Sequence, residues 1–529
     1  MAKRTIAIQS ILPGISPSQF FSQPGQFLGS IAIDPDYPLT QSGIRTSGVL
    51  VPTRYEKFSG GNVNAPVINI ITTPKTSLVY VVLNNGRLIS YDSSLGSETL
   101  IGTVAGSNAE GGFYYNNFIY VTGTGASKND VSRYGPLDGA AALTDGVWTG
   151  ATLGAQVALT NTTYPTIRGV RIPNHWGFVH VDGAAYFLDF LNGQGYVHKI
   201  KTTRGAAEGD TNAGSLYAAL TLPLGPSFFP TTLSNYSTDI AVITMNTTNT
   251  TIDQGKSGIF LWDAFNQAET AYRQIDLPDP MATAIKDYNG APVIWTGNAV
   301  SGVRISQYLG GQVTRQLAFM EEGVTPLPGA VTTEGNRLLW GAFTTYLETT
   351  ASVFSLGSKN ADLPMGLHNV IRTTSTGTTP VVTAMKFVQQ ASNITPRAIV
   401  AWADGSGYGI DKLSTTATYD SHWRSANFQI GKTFSIEKIR FPLGATVTTN
   451  MNIDVTVYID DGSTTFSLSA ISPSAHGAST RYAVYKNPEL DIIGRNNFYI
   501  QLSWTGSAEI PVQFPIEIEI EEYNDEPYA

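Results

Sequence analysis

Three histidines are the first candidates for chemistry, because imidazole nitrogens bind transition metals. His175, His180 and His198 stand within one predicted strand pair, and His180 shares strand parity with Asp182. No third ligand stands at a diagnostic spacing. A single histidine in a strand is more often a satisfied core or surface group. We therefore predict no metal site and no cofactor.

Paired carboxylates are the second candidates, because a glycoside hydrolase needs two of them about 5–10 Å apart. The chain offers several pairs, such as Glu321 with Glu322 and Asp263 with Asp287. Sequence alone selects none of them. No G-x-S-x-G nucleophile turn stands between a strand and a helix. We predict no catalytic residues and a protein that is not an enzyme.

Three glycine- or aspartate-rich segments resemble functional loops. Residues 123–128 resemble a phosphate-binding loop, but a strand rather than a helix follows them. Residues 405–409 lie between two strands, and residues 460–464 match part of the aspartate box of sialidase-type propellers. We interpret all three as turns that connect strands.

Tryptophans recur along the chain about once per unit, and exposed tryptophans stack on sugar rings. The five are Trp176, Trp262, Trp295, Trp340 and Trp402. Each stands inside an apolar strand, which favours packing in the core over glycan binding.

Composition narrows the class of protein. The 529 residues include 52 Gly, 25 Tyr and 23 Phe, and only 14% of them are charged. Such a composition is typical of many short strands and turns. The absence of Cys excludes disulfides and thiolate chemistry, and a net charge of −9 argues against specific nucleic-acid recognition. We also expect neither a signal peptide nor a membrane anchor.

Strand signals fill the chain and helical periodicity is nearly absent. Residues 78–83 and 87–91 are rich in β-formers, and Asn85-Gly86 between them predicts a tight hairpin turn. Similar hairpin units recur at a spacing of roughly 40–60 residues, the period of a four-stranded propeller blade. The repeats are too divergent to give a blade number.

A second pattern begins near residue 420. Ile453, Val455 and Val457 alternate with polar residues, which indicates a sheet with one buried face. We predict an all-β chain with three parts: an extended N-terminal arm (1–45), a β-propeller (46–415) and a C-terminal antiparallel β-sandwich (420–529). The alternating Ile/Glu segment 516–522 is interpreted as an edge strand whose charge discourages aggregation. The alternative is an acidic rim that meets a basic partner.

The chain resembles β-propeller structural proteins of tailed bacteriophages. The hairpin units 111–138 and 336–360 carry the resemblance, and residues 419–444 resemble the entry to the C-terminal sandwich of those proteins. The resemblance implies a virion component, such as a ring-forming tail nozzle or hub protein, with no catalytic residues to transfer.

From the resemblance we expect a non-enzymatic structural protein of a phage virion, placed in the tail and assembled in the host cytoplasm. Its expected partners are other virion proteins and further copies of itself in a ring. Two alternatives stay open: a receptor- or glycan-binding protein, and a propeller-type glycan hydrolase.

Overall fold

A computed structural model describes most of the chain. The described residues are 2–11, 13–16, 26–35, 49–104, 108–124, 129–148, 166–173, 176–191, 194–200, 216–222, 228–246, 257–264, 271–297, 302–309, 312–320, 325–344, 348–357, 366–388, 397–414, 416–486, 492–508 and 510–523.

Three short strands at the start of the chain pair with strands that come much later in sequence. They are β1 (Ala2–Ile8), β2 (Gly29–Ile31) and β3 (Tyr55–Lys57).

Seven four-stranded antiparallel sheets make up the middle of the described chain. The first sheet contains β4 (Val67–Thr72), β5 (Val79–Leu83), β6 (Arg87–Tyr91) and β7 (Glu98–Thr103), and the second contains β8 (Asn108–Tyr115), β9 (Phe118–Thr124), β10 (Asn129–Gly135) and β11 (Ala142–Trp148). A small hairpin of β12 (Thr166–Ile167) and β13 (Val170–Arg171) follows. The third sheet contains β14 (Gly177–Val179), β15 (Ala185–Leu191), β16 (Gln194–Ile200) and β17 (Leu216–Leu222).

The other four sheets follow in the same way. The fourth sheet contains β18 (Phe228–Tyr236), β19 (Asp239–Asn246), β20 (Ser257–Trp262) and β21 (Arg273–Leu277), and the fifth contains β22 (Met281–Tyr288), β23 (Ala291–Gly297), β24 (Val303–Leu309) and β25 (Gln312–Met320). The sixth contains β26 (Val331–Glu334), β27 (Arg337–Thr344), β28 (Thr350–Leu356) and β29 (Leu367–Arg372). The seventh contains β30 (Val381–Val388), β31 (Arg397–Ala403) and β32 (Tyr408–Leu413), together with β3.

The first strand of each sheet contacts the first strand of the next, and β30 of the seventh sheet contacts β4 of the first. This closed ring makes the sheets the blades of a seven-bladed β-propeller. The seventh blade takes its outer strand, β3, from the N-terminal segment, so the two ends of the propeller sequence are joined by hydrogen bonds. The predicted all-β propeller is confirmed, and the structure adds the blade number.

The blades form because their strands are apolar on both faces. Every residue of β5, β20 and β28 is buried, since each blade packs between two neighbours. Tight turns join the strands: Gly86 takes a φ of 84° after Asn85, and Gly290 takes a φ of 78° after Asn289. Glycine adopts these positive φ angles without a steric penalty, as the predicted Asn-Gly hairpin requires.

Two small elements close one end of the propeller axis. The 3₁₀ turn Pro328–Ala330 contacts the inner strands β4, β22 and β30, which belong to different blades. The β12–β13 hairpin places Ile167 and Val170 in one hydrophobic cluster with Leu188 and Val382, from the third and seventh blades. The hairpin contacts blades that are not neighbours, because Arg171 pairs with Glu110 of the second blade and Arg168 donates to Thr378 O just before the seventh.

The rest of the chain forms two antiparallel sheets, here called the two-sheet unit. One sheet has the order β1, β41 (Ile516–Glu522), β35 (Phe434–Pro442) and β38 (Tyr482–Lys486), with β39 (Ile492–Gly494) also on β35. The other has the order β2, β33 (Ser421–Arg424), β40 (Asn497–Trp504), β36 (Ile453–Ile459) and β37 (Thr464–Ile471), with β34 (Phe428–Gln429) also on β40. A short helix, α1 (Pro473–His476), follows β37.

The two sheets share one hydrophobic core. Strand β36 buries every second residue, and its Val455 and Val457 belong to the same cluster as Ile436 and Ile518 of the other sheet. This is the region for which the sequence predicts a β-sandwich. Strands β1 and β2, which lie in the predicted N-terminal arm, complete one sheet each.

The prediction that segment 516–522 is an edge strand is wrong. Strand β41 lies between β1 and β35, so both of its backbone edges are hydrogen-bonded. Its acidic side chains pair with cations on the neighbouring strand: Lys438 Nζ lies 2.6 Å from Glu519 and Arg440 lies 3.1 Å from Glu517. The edge is β1, which carries Lys3 and Arg4. Cross-strand pairing therefore explains the acidic face.

Candidate functional site

Two lysines lie on inner strands of the propeller. Lys286 lies on β22 in the fifth blade and Lys386 lies on β30 in the seventh, both half-buried. Strand β22 has a β-bulge at Thr283 and strand β30 has one at Thr383, and in each strand the lysine follows three residues after the bulge. The lysines therefore occupy equivalent positions on two blades separated by one blade.

Ala384 and Val388, which share strand parity with Lys386, pack in the hydrophobic cluster of the first blade, so Lys386 lies on the face of β30 toward that blade. Ala284 and Tyr288 place Lys286 on the face of β22 toward the sixth blade. Desolvation lowers the pKa of Lys286, against a smaller opposing effect of the Asp287 charge. Desolvation also lowers the pKa of Lys386, and the positive charge of Lys286 lowers it further. Partial burial of both side chains therefore disfavours their charged forms.

A buried acidic residue, Glu110, lies at the closed end of the propeller axis. Glu110 stands at the bulge of inner strand β8 and is 1% exposed. It lies 2.7 Å from the guanidinium of Arg171 on the β12–β13 hairpin. Arg168 of the same hairpin lies over the ring of Phe343 at 3.9 Å. These contacts fix the hairpin across the ring.

The histidines predicted as metal-ligand candidates lie in separate environments. His175 is outside the described residues. His180 contacts Asp182 at 3.1 Å in the β14–β15 turn, whereas His198 contacts the buried Asp189 at 3.0 Å between β15 and β16. His180 and His198 are therefore each one partner of a local acid–histidine pair.

Asp182 is the centre of a small hydrogen-bonded turn. Burial alone would raise its pKa, but hydrogen bonds from the Ala184 N–H, Tyr186, His180 and Lys199 lower the pKa to about 2. The Tyr186 hydroxyl donates to Asp182 at 2.9 Å. The carboxylate thus keeps its charge and closes the hairpin.

The described residues contain one group of three metal-type ligands, and sequence reasoning missed it. Glu348, Asp420 and His422 place their ligand atoms within 4.8 Å of one another. Arg372 also lies in this group, paired with Glu348 and 2.8 Å from Asp420. Because Arg372 pairs with both carboxylates, the group acts as an ionic contact between blade six and the two-sheet unit. The sequence does show that Asp420 and His422 are two residues apart, a spacing that places both side chains on the same face of a strand.

Of the two carboxylate pairs considered for hydrolysis, the structure describes one. Glu321 and Glu322 are outside the described residues. Asp263 follows β20 on the fourth blade, and Asp287 lies on β22 of the fifth; both are exposed.

The three loop-like segments lie between strands, as predicted. Residues 125–128 are outside the described residues, but Gly123 is in β9 and Asn129 is in β10. Gly405 has a φ of 79° in the β31–β32 turn, where Asp404 accepts N–H groups of Thr376 and Gly377. Asp460 and Asp461 form the 3₁₀ turn between β36 and β37.

The recurrent tryptophans pack in the core, as predicted. Trp262, Trp295, Trp340 and Trp402 are 0–6% exposed, and Trp176 packs partly buried against the main propeller cluster. The Trp402 indole N–H donates to buried Asp411 at 2.9 Å. A flat indole surface for a sugar is therefore absent from these four positions.

The contact between the propeller and the two-sheet unit is here called the seam. At its centre, Arg337 of β27 makes two hydrogen bonds to Asp34, at 2.8 and 3.0 Å, and also pairs with Glu334. Burial would lower the pKa of Arg337, but the charges of Asp34 and Glu334 raise it above its usual value. A small pocket beside this pair is lined by Thr53, Tyr55 and other side chains.

Hydrogen bonds to backbone carbonyl groups extend the seam along the sixth blade. The Ile33 N–H donates to Asn369 O at 3.0 Å, and the Thr53 hydroxyl donates to Val370 O at 2.7 Å. Phe27 lies between His368 of β29 and Trp423 of β33, with ring centroids 5.8 and 6.3 Å away. Residues of the N-terminal segment therefore lie between the propeller and the two-sheet unit and contact both.

Comparisons with known proteins give little beyond the fold. No protein-family model matches the chain, and no curated protein matches it. A solved structure that is similar is an oxidoreductase described as a glucose dehydrogenase, from Thermus thermophilus. It is 12% identical, with a TM-score of 0.35, over 55% of this chain and 93% of that one. The propeller assignment therefore rests on the strand pairing of the chain itself.

In the parts of the chain described above, no helix is both long and apolar enough to cross a membrane.

Proposed function

We propose that the protein is a non-enzymatic structural component of a phage virion, placed in the tail, and that it assembles with other virion proteins and with copies of itself. The class is that of a seven-bladed β-propeller protein with an attached two-sheet unit. The resemblance of residues 111–138, 336–360 and 419–444 to phage propeller proteins is the starting point.

The seam is the observation that carries the proposal. A building block must transmit load between its regions, and this chain joins them with the buried Asp34–Arg337 pair and with backbone hydrogen bonds. The Arg372–Asp420 pair adds a second ionic contact further along. A linker alone would have left the propeller free to rotate against the two-sheet unit.

Immunoelectron microscopy of phage particles from the source culture tests the proposal. A polyclonal antibody against the purified chain serves as the label, with pre-immune serum as the control. Label at the tail or at one vertex supports a tail component. Label over the whole head contradicts the tail position, and particles without label contradict the virion proposal altogether.

Receptor or glycan binding is the second candidate, and an exposed aromatic residue favours it. Tyr272 is 57% exposed, and its hydroxyl donates to Asp239 at 2.6 Å. Tyr236 and the buried Tyr308 have ring centroids 5.1 Å apart, and both lie close enough to Tyr272 to add to the effect of burial, which raises the pKa of its hydroxyl. An aromatic face beside an oriented carboxylate is a common way to hold a sugar ring.

Binding to host-cell glycans in an array format tests this candidate. Tyr272→Ala should abolish a specific signal, whereas Tyr482→Ala, which removes an exposed tyrosine of the two-sheet unit, should keep it. An equal signal from both variants would contradict binding at Tyr272.

A further inference from the structure

Strand β1 is an open edge of the two-sheet unit. It pairs with β41 residue for residue along its whole length, without a register shift, and no described residue pairs with its other edge. In five blades the outer strand pairs with its neighbour through an interrupted register; these strands are β7, β11, β17, β25 and β29. Because bulges keep a sheet edge from pairing with another chain, β1 lacks a protection that those edges have.

The backbone groups on the open edge of β1 can be assigned from the pairing of β41. The Tyr523 N–H donates to Thr433 O at 2.9 Å, so the odd-numbered residues of β41 direct their backbone groups toward β35. The even-numbered residues of β41 therefore bond to β1, at Ala2, Arg4, Ile6 and Ile8. The N–H and C=O groups of Lys3, Thr5 and Ala7 point away from β41, and the side chains of these three residues are exposed.

The charges along β1 make this edge complementary to itself. The first half of the strand is basic, with Lys3 and Arg4, and the second half is apolar. A second copy turned by 180° about Thr5 places its Ala7 opposite Lys3, and Ala7 lies beside Glu517 of β41. Neighbouring strands lie about 4.8 Å apart, so Glu517 of the second copy is about 10 Å from the Lys3 backbone, within the combined reach of the two side chains across the short Ala7. The cations thus meet acids rather than each other.

We propose that two copies of the chain pair through β1, antiparallel and centred on Thr5, so that two sheets join into one continuous sheet. The proposal rests on the self-assembly stated in the proposed function and names its contact. The outward N–H and C=O groups of Lys3, Thr5 and Ala7 bond to those of the second copy. Because the same surface is used on both sides, the contact closes at two copies.

Sedimentation velocity of the full chain tests the proposal at about 100 μM, where a contact with a micromolar dissociation constant is largely formed. We expect the mass of two copies for the unchanged protein and for Thr5→Val, which keeps the outward N–H. Thr5→Pro removes that N–H without removing a bond to β41, so it should fold and sediment as one copy. Lys3→Glu, which sets like charges beside Glu517 of the second copy, should weaken the pairing at least tenfold.

The mass of one copy for the unchanged protein, or of two copies for Thr5→Pro, would overturn the proposal. Antibody labelling of particles does not depend on this contact, and pairing in solution does not depend on a virion, so the two proposals fail separately. An equal urea midpoint for Thr5→Pro and Thr5→Val in dilute solution shows that the proline variant is folded.

A spin label locates the contact. The chain has no Cys, so Thr5→Cys carries a single nitroxide. Pairing about Thr5 places two labels on adjacent strands, and their spectrum should broaden strongly with concentration. Labels on Thr238→Cys, at an exposed turn of the fourth blade, should not broaden. Two copies without broadening at Thr5→Cys would place the contact elsewhere and overturn the assignment.

Discussion

The propeller and the two-sheet unit bury polar groups in different ways. In the propeller and along the seam, charged or ionisable side chains lie in the interior, among them Asp34, Asp189, His198, Arg337 and Asp411. In the described part of the two-sheet unit the core is apolar, and the charges form pairs on the outside of β35 and β41.

The difference follows from geometry. A blade is covered on both faces, so most polar residues buried in it need a partner in the interior. Each sheet of the two-sheet unit is covered on one face only, so alternation sends its polar residues to water. The propeller should therefore depend on individual partners, and the two-sheet unit on apolar area.

Removing a cation from the seam should give the largest effect. Arg337→Met leaves Asp34 and Glu334 buried without a counter-charge, and we expect it to cost about 3–5 kcal/mol of unfolding free energy. Arg4→Met removes an exposed pair with Glu522 at the edge of the two-sheet unit and should cost less than about 1 kcal/mol. Urea unfolding measures both, and similar losses for the two variants would contradict the contrast.

Filling a close contact between blades should give the next largest effect. A Cβ on Gly341 of β27 would lie 2.3 Å from Val382 Cβ in the seventh blade. Gly341→Ala should cost about 1–3 kcal/mol, because the interior is already filled. Gly61→Ala is the control, since a Cβ there meets nothing within 4 Å. Thermal unfolding should show a lower midpoint for Gly341→Ala alone.

Acid should distinguish a hydrogen-bonded aspartate of the propeller from an exposed one of the two-sheet unit. The pKa of Asp182 is about 2, below its usual value, so its stabilisation is present at neutral pH and is lost as the pH falls from about 4 to 2. Asp182→Asn should therefore be less stable than the unchanged protein at pH 7.

That deficit should be about 1 kcal/mol or less, because the Asp182 side chain is 36% exposed to solvent. It should disappear near pH 2. Asp454→Asn, at an exposed position on β36, serves as the control and should show no such closing gap. The test is the urea midpoint of each variant and of the unchanged protein, measured across this pH range. A stability deficit of Asp182→Asn that persists at pH 2 would contradict an origin in the Asp182 charge.

The smallest effect belongs to the charge pairs on the outside of the two-sheet unit. Lys438→Ala removes the partner of Glu519, which is nearly half exposed, and should cost about 0.2–1 kcal/mol. The loss should shrink in 1 M salt, where charges a few ångströms apart are screened. A loss above 2 kcal/mol that salt leaves unchanged would show that packing, not charge, holds this face.

Local features of the fold were predictable from sequence, because neighbours in the chain determine them. Asn85-Gly86 specified a hairpin, and the apolar setting of Trp295 and Trp340 indicated burial. The spacing of hairpin units indicated a propeller. The blade number was not predictable, since the repeats share a pattern but little identity.

Contacts between distant parts of the chain explain what the sequence could not indicate. Asp34 and Arg337 are 303 residues apart, and β1 pairs with β41 from the other end of the chain. That pairing makes β41 an interior strand, which is why its acidic face was misread as an edge. Lys286 and Lys386 share a position only once the bulges align their strands.

The central claim is that the seam makes the propeller and the two-sheet unit unfold together. Hydrogen exchange read by mass spectrometry across a urea series tests it directly. The account predicts one urea midpoint for peptides from β30–β32 and for peptides from β35 and β41, and a common shift of both to lower urea in Arg337→Met. Two separate midpoints in the unchanged protein, or a shift confined to the propeller in the variant, would contradict it.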